Sequence, residues 1–235
     1  MSKVNWRLAI FEVAIVVVGI LIAFRVDEWK EHRAERREVA ESLSRLAAEF
    51  TANRQLCRQV GADVQASRDA VWHVYSSLQA KRILDADAEL FERGLIDADF
   101  IPQILISTLA YREMAASGLL RSLDDAELAD DLGRLEAEIE YSRLQIPYYR
   151  IGPSELASRL RSRVDFRYDV STDRPRVSYD FETLAADREL RNLYFETVDS
   201  HSDVAFHVTR ICDRVRRVDE RLDVYFPDRS AGGPD

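Results

Sequence analysis

The residues best suited to chemistry cluster near the C-terminus: Asp199, His201, Asp203 and His207. Side chains four apart share a helix face, so Asp199, Asp203 and His207 would align and offer oxygen and nitrogen donors to a metal ion. His201 falls off that row, on an apolar seam. Because these donors follow no established ligand spacing, a solvated or capped helix face is the simpler reading, and no metal ligand is assigned. The acid-rich stretch 124–140 raises a second possibility, a di-metal carboxylate bundle, which needs Glu-x-x-His on each of two helices. None of His32, His73, His201 and His207 has a Glu three positions before it. The acids, interleaved with Leu, read as the wet face of an amphipathic helix. No phosphate loop, dinucleotide fingerprint, nucleophile elbow or H-E-x-x-H occurs. The expectation is a chain that is not an enzyme, with no catalytic residue and no cofactor.

Two cysteines, Cys57 and Cys212, are too few for a four-cysteine zinc site or a disulfide-built scaffold. They fall on, or beside, the apolar seams of the first and last long helices. Two readings stand: small buried hydrophobes, or a disulfide tying those helices in an oxidising compartment. Arg161, Arg163, Arg167, Arg174 and Arg176 offer a basic patch for an anionic ligand or lipid headgroups. The acids nearby make solvated surface the simpler reading.

These residues sit in a chain of 235, with 33 Lys and Arg against 42 Asp and Glu, a net charge of −9. That balance argues against a nucleic-acid partner, because a phosphate backbone needs a basic face. With 8 Gly and 6 Pro, a turn-dense all-β fold is a poor fit. The expected fold class is all-α: one N-terminal transmembrane helix continuing into a long helix of an antiparallel helical bundle.

The span is read at Leu8–Phe24, whose single charge is Glu12. It covers about 25 Å of helix, near the lower limit for a hydrocarbon core, and extension to Val4 and Val26 completes it. Trp6 and Trp29 would mark the two interfaces, with Arg7 and Arg25 snorkelling outward. No small-residue cleavage pattern follows the run, so an uncleaved anchor over residues 1–29 is expected rather than a signal peptide. Glu12, Gly19 and Ala23 are candidate span contacts. Glu12 either snorkels to headgroups or meets a partner helix, and Gly19 with Ala23 forms a small-xxx-small pair.

Behind the anchor, residues 30–226 carry the helical domain. Val39, Leu43, Leu46, Phe50, Asn53, Cys57, Val60, Val64, Ser67, Val71, Val74 and Leu78 step by four and three, with Asn53 and Ser67 as polar interruptions. Such a seam predicts one long helix packed against others, with a break tolerable at Gly61. A short helix is expected around Ala88–Arg93, capped by Gly94, and a further one over Ile104–Ala116, closed by Ser117-Gly118. Ser122 or Asp124 would cap the next, which Pro147 and then Gly152-Pro153 would end or bend. Ser154 would open a short helix through about Val164. Residues 165–179 read as a small hairpin or an extended loop. A last long helix from Asp180 or Phe181 carries a seam from Leu190 to Tyr225. Residues 227–235 have no reason to order.

Phe11-Glu12-Val13, Val17 to Ala23 and Val26-Asp27-Glu28-Trp29 together resemble the span of a family of uncharacterised bacterial single-span membrane proteins. In that family a G-E-I start leads to an I-G-I-L-I-A core and an N-x-W end. Here Phe11 replaces the usual Gly, and Asp27-Glu28 replace the Asn positions. Met114 to Leu120 is similar to the family's L-x-x-S-G-x-L turn, and Leu184 to Leu193 to its final helix start. The resemblance implies a bacterial inner-membrane protein with a helical domain and no assigned activity. Its basic N-terminus implies a periplasmic domain, against a Lys/Arg count that points to the cytoplasm.

The functional expectation is a membrane-anchored helical interaction or scaffold module, self-associating or bound to a membrane-protein partner, with the lipid bilayer as its other contact. The alternative is a ligand-binding, sensor-like domain or enzyme with a pocket between helices near Tyr148, Tyr149 and the 165–179 segment. Convergent buried polar groups there would favour that alternative.

Overall fold

Apolar positions spaced by four and three need a continuous helix to form one stripe, and the first helix, α1 (Trp6–Ala80), is unbroken through Gly61. The computed structural model describes residues 6–123 and 125–226, with side-chain surroundings from residue 19 onward, Ala86 excepted. From Leu43 to Leu78 every seam position of α1 is buried, Asn53 and Ser67 included. The chain forms two compact units. One is Met1–Leu46 with Ala110–Asp124, the other Ala47–Leu109 with Asp125–Asp235.

In the first unit, Leu21, Ile22, Phe24 and Val26 on α1 are all exposed. Among the described residues, no helix is long and apolar enough to cross a membrane. The side chains of residues 1–18, which make up most of the expected span, lie outside the described residues. Helix α3 (Leu109–Ser117) belongs to this unit from Ala110 onward. It ends at Gly118, whose φ of +81° is the left-handed conformation that suits glycine. Arg45 pairs with Glu113 at 3.9 Å, and the Ser122 hydroxyl donates to Glu35 at 2.5 Å.

The second unit is helical, with one small hairpin. Helices α2 (Ala88–Ile96), α4 (Ala126–Tyr149) and α5 (Ile151–Leu160) precede strands β1 (Val164–Asp169) and β2 (Arg174–Tyr179). Helices α6 (Phe181–Ala186) and α7 (Arg188–Tyr225) follow. The strands pair antiparallel with Phe166 opposite Val177 and Tyr168 opposite Pro175. One core cluster joins Val71, Val74 and Leu78 of α1 to Phe91, Leu156, Leu190 and Tyr194. Another joins Val60 and Val64 to Ile101, Val204 and Val208.

Several expected boundaries move, each for a local reason. Gly94 is not a cap. It lies inside α2, and a Cβ there would run into the Ala70 carbonyl and the Val74 side chain, so glycine lets α2 approach the α1 backbone. Residues 104–108, expected to open a helix, carry no regular secondary structure, and helix begins only at Leu109. Asp125 caps α4 by accepting from the Leu128 amide, in place of Ser122 or Asp124; Asp124 lies outside the described residues. Helix α5 opens at Ile151 rather than Ser154, with Gly152 and Pro153 in its first turn, where a proline loses no helical hydrogen bond. The final helix is two, divided at Asp187, whose side chain accepts from Leu190 N and starts α7 afresh. The seam of α7 from Leu190 to Leu222 is buried, and Tyr225 is exposed. Pro227 and the tail to Asp235 lie outside the described residues.

Candidate functional site

Helix α7 buries more than one stripe. Its seam faces α1, where His201 Nδ1 lies 3.5 Å from the Ser67 hydroxyl. Three residues from seam position Val204, His207 turns towards α4 and is also buried. This corrects the reading of His207 as part of a solvated face. Two histidines six positions apart thus face different helices. Among the described residues no group of three or more His, Cys, Asp or Glu side chains is placed to hold a metal ion.

Around His207 a polar network closes within an otherwise apolar packing. Its Nε2 lies 3.0 Å from the Tyr149 hydroxyl, and its Nδ1 lies 3.4 Å from the Ser142 hydroxyl. The Glu138 carboxylate approaches Nδ1 at 3.9 Å. Rings of Tyr141, Tyr149 and Phe206 pack around the imidazole at centroid distances of 5.5, 5.6 and 5.7 Å. Glu138 is buried, and its other oxygen takes Arg210 at 2.7 Å and Arg214 at 3.8 Å. Burial, then the nearby Asp203 carboxylate, raises the Tyr149 hydroxyl above the ordinary tyrosine range. Tyr149 therefore stays a neutral hydroxyl at neutral pH, suited to hydrogen bonding rather than to acting as a base.

Ser142 connects this network to a cavity of about 510 Å3. The extended segment 103–106 forms one side and the C-terminal half of α4 the other, with Ile211 of α7 completing the wall. Two side chains from α1 position that segment. The Asn53 amide donates to the Ser107 carbonyl at 2.8 Å and accepts from its N–H at 3.1 Å. Glu49 accepts from Leu109 N at 2.7 Å. The cavity adjoins Pro147 and Arg150, as a pocket near Tyr148 and Tyr149 requires, but the 165–179 hairpin does not line it. A smaller cavity of about 300 Å3 adjoins Phe166 at the hairpin's base, bounded by Leu95, Ala98, Leu160 and Arg161.

Cys57 of α1 and Cys212 of α7 are joined as a disulfide, with Cα atoms 5.6 Å apart. Of the two readings that the sequence leaves open, the structure takes the bonded one. The arginines around the hairpin are mostly paired: Arg161 with Asp99 at 3.9 Å, Arg163 with Asp187 at 3.4 Å, Arg167 with Asp165 at 2.6 Å and Arg176 with Asp169 at 3.8 Å. At the expected membrane interface, exposed Arg25 pairs with Glu28 at 3.8 Å. Trp29 is exposed, with the Arg33 guanidinium over its ring at 5.3 Å. Gly19 and Ala23 are exposed, and nothing lies within 4 Å of a Cβ built on Gly19. The side chains of Trp6, Arg7 and Glu12 lie outside the described residues.

The sequence signals Tyr149, the two cysteines and Ser142, which steps with Leu128, Leu132, Leu135, Ile139 and Ile146, but it passes over Glu138 and the correct setting of His207. Glu138 and Ser142 lie four apart on one face of α4, and that spacing was the available sign. Comparison with known proteins finds no matching family model, no matching curated protein and no matching solved structure.

Proposed function

We propose that the chain is a membrane-anchored helical interaction module of a bacterial inner membrane, working through contact rather than turnover, with its folded domain on the periplasmic side. The observation that carries this reading is the uncovered apolar surface of Leu21, Ile22, Phe24 and Val26, which continues without a helix break into the buried seam of α1. Apolar side chains pointing outward around a helix need lipid or another chain to cover them. The Cys57–Cys212 bond supports an oxidising compartment, since disulfides persist outside the reducing cytosol. The resemblance of the span to bacterial single-span proteins points the same way.

A reporter fused after Pro234 tests topology, and crosslinking in intact membranes tests association. Periplasmic reporter activity with a crosslinked dimer or membrane-protein partner is the expected result. Recovery of the full chain in the soluble fraction, as monomer alone, overturns the reading.

A second reading, a ligand-binding sensor-like domain, is favoured by one arrangement. Ser142 both borders the 510 Å3 cavity and touches the buried His207 network. Convergent polar groups beside an apolar cavity of that size are the usual setting of a small-molecule site. Saturable binding of a small molecule that Ile139→Trp abolishes, by filling the cavity, is its test.

A further inference from the structure

The cavity beside α4 is apolar on most sides, with Ile104, Ile106, Ile139, Ile146 and Ile211 among its walls. Aliphatic walls without an aromatic face suit a flexible hydrocarbon chain better than a planar ring. Four polar side chains touch the space: Gln103, which is neutral, and Ser142, Arg143 and Arg150. The Ser142 hydroxyl is buried and already engaged with His207. The Arg143 guanidinium is held in a two-pronged pair by Glu140, at 2.8 and 2.9 Å. Arg150 borders the same cavity and has no ion pair or side-chain hydrogen bond among the described residues.

One unclaimed guanidinium beside an aliphatic cavity, on a chain of net charge −9, calls for one negative group on an apolar body. A cationic amphiphile meets Arg150 as a like charge. A polyphosphate needs more donors than remain, because Arg143 is already neutralised. A guanidinium fork and a carboxylate match one to one.

We propose that this cavity binds the hydrocarbon chain of an aliphatic carboxylate and that Arg150 takes the carboxylate. The inference rests on the ligand-binding reading above and adds the ligand's chemical class. It does not depend on which side of the membrane the domain occupies.

The test is equilibrium dialysis of radiolabelled decanoate against the full chain in lipid nanodiscs, with empty nanodiscs as the blank. Decanol, decyl phosphate and decyltrimethylammonium serve as competitors. Saturable one-to-one binding is expected, with decanoate displacing the label at least as well as decyl phosphate. Arg150→Glu, at an exposed position, weakens binding about tenfold or more, and Arg150→Lys, which keeps the charge but loses the fork, weakens it less. Decanol or decyltrimethylammonium competing as well as decanoate, or Arg150→Glu binding like the wild type, overturns the carboxylate assignment while the ligand-binding reading stands. Clear preference for decyl phosphate likewise overturns it, in favour of a phosphate headgroup. Absence of saturable binding by any of the four overturns both.

Discussion

Asn53 holds both polar groups of the Ser107 peptide with one side-chain amide, donating to the carbonyl at 2.8 Å and accepting from the N–H at 3.1 Å. It treats an extended segment as a neighbouring strand would, although it sits on a helix. A buried polar residue on an apolar seam costs stability unless it is paired, and here both of its ends are.

Asn53→Leu keeps the volume and the apolar stripe but leaves the Ser107 peptide without partners. The expected loss is about 1–2 kcal/mol, the net worth of two hydrogen bonds, because Ser107 is exposed and water can meet its peptide. Urea unfolding measures it, and faster amide exchange at Ser107 locates it. Unchanged exchange there would show that the clamp is not what holds residues 101–108.

The two glycines of unequal surroundings predict opposite signs. Gly94→Ala drives a methyl into the Ala70 carbonyl and costs roughly 1–3 kcal/mol through overpacking. Gly61→Ala meets nothing within 4 Å and gains up to about 1 kcal/mol from helix propensity. Thermal melts of the two variants should move in opposite directions from the wild type.

Burial pushes His201 down to about 4 from 6.5. Its neutral form is therefore the folded one, and the unfolded chain binds the extra proton between those two values. Stability contributed by neutral His201 is intact above pH 6.5 and drains away as pH falls towards 4, by on the order of 3 kcal/mol in all. His201→Leu should flatten that part of the stability–pH curve. Parallel curves for variant and wild type across pH 4–7 would falsify the assignment.

Cys57 and Cys212 are separated by 155 positions, so their bond restricts a long loop in the unfolded chain. The chain-entropy model assigns about 5 kcal/mol to such closure, an upper figure when the reduced chain keeps residual structure. Denaturation with and without reductant reads the difference, and Cys57→Ser should abolish it.

Much of the helical plan was legible because it depends on local periodicity. The seam of α1 from Leu43 to Leu78 and that of α7 from Leu190 to Leu222 are buried as their spacing requires. Where the reading failed, long-range contacts decided the outcome. The helix expected over Ile104–Ala116 does not take in residues 104–108, where the Ser107 peptide pairs with Asn53, 54 positions away. His207 departs from a solvated face because α4 lies against a second side of α7, which a single-stripe reading of α7 does not anticipate. The polar seam positions Asn53 and Ser67 were visible as interruptions, but their partners, Ser107 and His201, were not.

The bond between Cys57 and Cys212 also changes what a protease can accomplish. One cut anywhere in the chain between these residues, including the exposed turn between β1 and β2, leaves two fragments that still travel as one molecule. Nicked protein would therefore run as a single species until a thiol reagent releases the pieces.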